Sequence, residues 1–266
     1  MIIIAEKLNG SIPSCAKAIE ARDEDYIRDM AERQSEARAD FIDVCASVNE
    51  GEAETMKWMI DLVQEACDTR ISIDSPNPRV LAEVMQYCKR PGLVNSVSGE
   101  GDKMDVIFPA IADTKWSVMA LLCDDRGIPE DAEGRIEVLE NIMARAKEFG
   151  IADDRIYIDP MVEMVCTSED GISVVLEVIR YVKKHYPKVH VSCAVSNISF
   201  NLPVRKHLNQ AFTVLAMNAG MDSAVLDPLS RDLMGVIFAT DCMLGEDYYC
   251  LEYIGAYRDD LFGPKK

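Results

Sequence analysis

Eight short apolar runs, separated by stretches of helical spacing, constrain this chain more than any other feature it has. They read MIIIAEKLN, FIDVCAS, RISIDSP, GLVNSVS, SVMALLCD, RIYIDPM, HVSCAVSNIS and SAVLDPL. Most are near-continuous Val, Ile and Leu, the pattern of parallel strands buried on both faces. Between them, residues 23–39 place Ile27, Met30 and Ala31 on one stripe, and residues 52–67 do the same with Met56, Met59, Ile60 and Val63. Pro78 opens the next helix, a position where a missing N–H is tolerated. A helix over 130–149 stops at Gly150, and others fit 168–186, 206–219, 229–243 and 246–260.

Eight strands each followed by a helix, in 266 residues, predict a (β/α)8 TIM barrel forming one domain over 1–266. No Pro/Gly/Ser-rich linker divides the chain. A doubly wound open sheet is the competing architecture, but the first turn has no G-x-G-x-x-G. The partial match SGEGDKM at 98–104 has Met104 where a third glycine belongs.

The chain carries 46 Asp and Glu against 28 Lys and Arg, a net charge of −18. Such a surface repels phosphate backbones and anionic bilayers, so neither nucleic acid nor membrane is an expected partner. The start MIIIAEKLNG lacks the basic residues and long apolar core of a signal peptide. No apolar run approaches the roughly 20 residues that span a bilayer. A cytoplasmic location is expected. The nine cysteines are scattered without a C-x-x-C, and Cys45, Cys123 and Cys193 fall inside apolar runs, which suits buried reduced thiols better than disulfides. His185, His190 and His207 have no metal-ligand spacing, and no protein-ligated metal is expected.

In such barrels the catalytic groups sit at the C-terminal ends of the strands. Here those ends carry Glu6 and Asn9, Asp43, Asp74 with Ser75, Asn95 with Ser96, Asp124, Asp159, Asn197 and Asp227. The strand ends are read as offering no Lys or Arg, and the strand interiors no Lys. Helix capping explains one acid or amide in such a place. It explains a whole ring of them poorly. Acids that accept and amides that both accept and donate suit a flat heterocycle with a guanidine-like edge, N–H donors beside a carbonyl. Phosphorylated ligands fit badly, because the glycine-rich and cationic elements that hold phosphate are missing. Magnesium-type chemistry would need several carboxylates converging within a few ångströms.

In IIIAEKLNG, FIDVCAS, SIDSP, VNSVS, RIYIDPM and VSNISFN, in that order, the chain resembles the methyltetrahydrofolate:corrinoid protein methyltransferases, which are pterin-binding (β/α)8 barrels. The resemblance runs from residue 1 to about 258. It implies that Asp74, Asn95 and Asp159 bind the pterin ring and that Asn197 lies beside N5, where it is the candidate catalytic residue. Glu6, Asn9, Asp43 and Ser96 are further candidates at the same strand ends. Where the family often reads D-x-N on the second strand, this chain reads Asp43-Val44-Cys45.

The implied activity is methyl transfer between N5 of tetrahydrofolate and the cobalt of a corrinoid, with the direction left open. A tertiary amine leaves poorly unless N5 gains a proton or a strong hydrogen bond, so a donor is needed there. The cobalamin would be borne by a separate protein docking over the barrel mouth, because no D-x-H-x-x-G segment and no extra length provide for it. The family also implies a homodimer. Three alternatives stay open. A dihydropteroate-synthase-like barrel would need basic strand ends. A lyase or aldolase barrel would need a Schiff-base lysine within a strand or a convergent metal site. A non-catalytic pterin-binding barrel would share the pocket without turnover.

Overall fold

A strand buried on both faces alternates its side chains between two environments, and that alternation builds the wall of this protein. A computed structural model describes residues 1–48, 50–168 and 170–265. Its strands are β1 (Ile2–Asn9), β2 (Phe41–Cys45), β3 (Arg70–Asp74), β4 (Leu93–Gly99), β5 (Ser117–Asp124), β6 (Ile156–Asp159), β7 (His190–Ala194) and β8 (Ser223–Leu226). They form a closed barrel in sequence order, every neighbouring pair parallel, with β8 returning to β1. The open sheet is thereby excluded.

Two apolar clusters lie on opposite sides of that wall. Ile42, Val44, Ile71, Ile73, Val94 and Ile158 join the larger one, shared with the helices. Ile4, Phe41, Leu93, Met119 and Tyr157 form the smaller one inside the barrel, near the strand starts. Phe41 meets Tyr157 edge-on at 6.3 Å, Arg70 lies over Phe41 at 4.1 Å, and His190 stacks on Tyr157 at 4.6 Å. Full burial of a side chain such as Ile73 or Leu93 contributes roughly 1.5–3 kcal/mol. The plug closes one end of the barrel. Residues two further along each strand share its inward face, so Glu6, Asp43, Asn95 and Asp159 follow it toward the other end.

The helices are α1 (Pro13–Ala21), α2 (Glu24–Glu36), α3 (Glu52–Ala66), α4 (Pro78–Val84), α5 (Lys103–Ile111), α6 (Ala132–Glu148), α7 (Gly171–His185), α8 (Arg205–Ala219), α9 (Arg231–Leu244) and α10 (Leu251–Arg258). The spacing in the sequence did not single out α1 or α5. α5 holds Pro109 in its interior and follows Gly99 and Gly101, a combination that propensity disfavours. It forms because Ile107, Phe108 and Ile111 are buried in the larger cluster, and packing outweighs propensity in a short helix. Gly10 is required where β1 leaves the barrel, since a Cβ there would sit 2.1 Å from the Ala46 carbonyl oxygen. Among the described residues no helix is long and apolar enough to cross a membrane.

Candidate active site

Register sets the first group of side chains at the open end. Asp43 pairs with Ser72 across β2–β3, and Asp74 pairs with Asn95 across β3–β4. Ser72 Oγ donates to Asp43 Oδ1 at 2.5 Å, and Asn95 Nδ2 donates to the same oxygen at 3.3 Å. The Cys45 thiol is hydrogen-bonded to Asp74 and lies 3.1 Å from Ser47 Oγ. Burial, and then neighbouring acids, push the Cys45 thiol up, so it stays a protonated donor. Where the family often places an amide, a thiol makes the contact to Asp74.

Burial raises the carboxyls of this group above the ordinary range. Asp74 is lifted first by desolvation and then by the charge of Asp43, against the Cys45 hydrogen bond. Asp43 is lifted by desolvation against the bonds from Ser72 and Asn95. Two acids this close titrate as a unit. The Asn95–Ser96 peptide bond is cis, and Ser96 is half-buried beside the cluster.

Asp159 reaches the same end from β6, beside Leu121 of β5 in register. Its Oδ1 accepts the Met161 N–H at 2.8 Å. Desolvation pushes it up to about 6, opposed by that bond and by the positive charge of Arg135. No direct bond joins Asp159 to Asp43, Asp74 or Asn95 among the described residues.

Across the mouth stand β7, β8 and β1. Ser196 Oγ donates to Glu6 Oε2 at 3.2 Å. Desolvation, and then the nearby Asp227, raise Glu6 to about 7, with a further push from Asp43. Asn197 is exposed in the 3-10 turn Val195–Ser199, directly after β7, and its carboxamide bonds to no described side chain or backbone group. A cleft of about 240 Å³ opens here, lined by Glu6, Ser196, Arg205, Asn209, Asp227 and Ser230. A wider concavity of about 930 Å³ lies at the closed end, among Met1, Asp40, Lys183, His190 and Asp222. Its charged groups hold the scaffold together: Asp222 accepts from Lys183, His190 and the Val191 N–H at 2.7, 2.9 and 2.8 Å.

The remaining strand-end residues make turns. Asn9 Oδ1 accepts the Ser11 N–H at 2.9 Å and Asp227 Oδ1 the Leu229 N–H at 2.9 Å. Asp124 is taken up by Arg126, whose Nη2 donates to it at 2.7 Å. Ser75 Oγ donates to Glu52 at 2.8 Å and accepts the Asn77 N–H at 3.0 Å, while Asn77 caps α4. The expectation of strands free of lysine is corrected: Lys7 lies within β1 and pairs with Asp227 Oδ2 at 3.2 Å. Lys7 was hidden by its place in an otherwise apolar run. Its charge is taken up by Asp227. Among the described residues no group of three or more His, Cys, Asp or Glu is arranged to hold a metal ion.

One residue that the sequence did not mark is Arg135, 1% exposed, with bonds to three backbone carbonyls around the Asp159 corner. A signal existed. Arg135 falls on the apolar stripe of α6 with Val138, Leu139 and Ile142, where a solvated cation does not belong.

A closed parallel barrel with inward acids and an amide at its open end suits a neutral or N–H-rich ring ligand, and the one arginine lining the cleft, Arg205, is held by Ser199 Oγ and the Ser196 carbonyl rather than by an acid. The chain belongs to the pterin binding enzyme family, whose profile matches residues 6–227. It is 49% identical to the methylcorrinoid:tetrahydrofolate methyltransferase of Eubacterium limosum, over 99% of this chain and 98% of that protein. It is 27% identical to the methionine synthase of Mycobacterium tuberculosis, over 85% of this chain but 20% of that longer protein. In fold it is similar to the dihydropteroate synthase of Xanthomonas albilineans, with a TM-score of 0.69, 17% identity and 92% of each chain covered.

Proposed function

We propose that this protein is a methyltransferase that moves a methyl group between the cobalt of a corrinoid on a separate protein and N5 of tetrahydrofolate. The carrying observation is near-full-length identity of 49% to a relative named for that reaction. The inward acid–amide set at the barrel mouth supports it. The relative's name puts methylcorrinoid first, and we take methylcorrinoid to tetrahydrofolate as the working direction.

Asp74, Asn95 and Asp159 are assigned to the pterin ring. Carboxylates accept from the 2-amino and ring N–H groups, and the Asn95 carboxamide, which can both give and take, meets the neighbouring carbonyl. Asp43 holds Asn95 in place. Asn197 is assigned to N5: its unpartnered amide is free to donate there as charge changes during transfer. Glu6, raised to about 7 and so near half-protonated at neutral pH, lies in the adjoining cleft 3.2 Å from Ser196. The corrinoid supplies the methyl-carrying cobalt; this chain binds, orients and hydrogen-bonds the folate.

Phe200 and Val204, 54% and 62% exposed beside Asn197, provide apolar ground for the corrinoid protein. Exposed Met243, Tyr248, Tyr249 and Leu251 support the homodimer, which sedimentation tests. Nine free cysteines accord with the reducing cytoplasm. A Schiff-base lysine needs an apolar or cationic surround, and Lys7 instead faces Asp227, which disfavours the aldolase alternative.

The test mixes the purified protein with methylcob(III)alamin and tetrahydrofolate, and separately with cob(I)alamin and methyltetrahydrofolate, following the cobalt spectrum. Protein-dependent conversion is expected in both. No conversion in either, with tetrahydrofolate still bound, would leave a pterin-binding barrel without this chemistry.

A further inference from the structure

Arg135 is buried on the inner face of α6, and burying a guanidinium is costly unless its donors are satisfied. Backbone carbonyls satisfy most of them. Nε donates to Pro129 O at 2.9 Å, and Nη1 to both Pro160 O and Met161 O at 2.7 Å. Nη2 donates to Glu163 Oε2 at 2.8 Å. Two of the three carbonyls belong to the residues directly after Asp159. Met161 itself has φ +65°, a left-handed backbone that a non-glycine residue adopts only when its surroundings impose it. Its N–H is held by Asp159 Oδ1 and its carbonyl by Arg135. The corner is clamped from both sides.

We propose that Arg135 is a positioning residue for the methyl transfer: its planar fork fixes the Pro160–Met161 corner and thereby aims the free oxygen of Asp159 at the pterin ring. This rests on the assignment of Asp159 to the ring. The fork geometry matters as much as the charge. A lysine in its place keeps the charge but delivers its donors from one point, and cannot serve Pro129, Pro160 and Met161 together. The charged or titratable groups around Asp159 are Arg135 of α6, Cys123 of β5 and Cys193 of β7.

The experiment compares Arg135→Lys, Arg135→Met, Asp159→Asn and the double variant Arg135→Lys/Asp159→Asn. Circular dichroism and thermal unfolding establish folding, and tetrahydrofolate affinity, KM and kcat are measured from pH 5 to 8. Arg135→Lys is expected to raise the KM for tetrahydrofolate about tenfold with kcat changed less than about twofold, the mark of a ring contact that ground state and transition state share and that a misaimed Asp159 no longer makes. Arg135→Met is expected to weaken binding further and to move its acid limb to higher pH, because the charge that steadies ionised Asp159 is gone. A purely structural role would lower the melting temperature and leave that limb in place. If Arg135→Met does not fold, Arg135→Lys decides.

The double variant is expected to bind no more weakly than Asp159→Asn alone. Wild-type KM in Arg135→Lys, or additive losses in the double variant, overturns the positioning role while Asp159 keeps its own. Unchanged affinity in Asp159→Asn overturns the assignment of Asp159 instead, and the positioning role with it.

Discussion

Asn95 Nδ2 and Ser72 Oγ converge on one oxygen of Asp43, at 3.3 and 2.5 Å, so a carboxylate of β2 fixes side chains of β3 and β4 at once. Asp43→Ala strands both donors in a buried site, whereas Asp43→Asn leaves an acceptor oxygen in place. The alanine variant should be less stable than the asparagine variant by about 1–3 kcal/mol. Urea unfolding of the two proteins, side by side, measures the difference; equal midpoints would show that the shared oxygen does not organise the cluster.

Asn197→Ala should cost turnover and little else. The side chain is exposed and bonds to no described residue, so the melting temperature should not change. If its amide donates to N5, its loss should slow transfer by about 30- to 1,000-fold, or roughly 2–4 kcal/mol in barrier. Folate affinity should stay within about threefold. A rate within about threefold of wild type would remove Asn197 from the chemistry.

Asp159 is a liability to the empty fold. Its carboxyl titrates at about 6 in the folded chain, above the ordinary 3.8, so the folded state holds this proton more tightly than the unfolded one. The stability linked to it is complete below the ordinary value and is lost as pH rises through about 6. Asp159→Asn should therefore stabilise the ligand-free protein at pH 7.5, by about 1–3 kcal/mol, while weakening folate binding. Thermal unfolding of both proteins from pH 4 to 8 should show the gap closing at the acid end. A gap independent of pH would mean that the proton is not the cause.

Cys45 gives a finer test. Cys45→Ser preserves a donor to Asp74 and should keep folate affinity within about threefold. Cys45→Ala removes that donor, lifts Asp74 further and should weaken binding at neutral pH by about three- to tenfold. Titration of folate by tryptophan and tyrosine fluorescence separates the two. Equal affinity in both variants would show that the thiol only fills space.

The strands could be read from the sequence because short near-continuous apolar runs survive in the one-dimensional pattern, and Asp43, Asp74, Asn95 and Asp159 stood out as the acids and amide on which those runs end. α5 could not, since Pro109 and two preceding glycines mask a helix that only its contact with the barrel stabilises. The role of Lys7 is illegible for a similar reason: nothing in a single run shows that Asp227, far along the chain, neutralises it. Asn197 was legible as a residue type at a strand end, but not its exposed place in a 3-10 turn. The support of Arg135 for Asp159 joins α6 to the end of β6, and such three-dimensional couplings leave only an oddly placed cation as a trace.

Each strand of the wall holds its two faces at alternate positions, ligand side and helix side. A combinatorial library confined to positions 43, 45, 72, 74 and 95 would therefore alter what the mouth recognises while leaving the isoleucines and valines that pack against the helices in place. Inserting one residue upstream of Ser72 would do the reverse damage, swinging isoleucines into the mouth and carboxylates into oil.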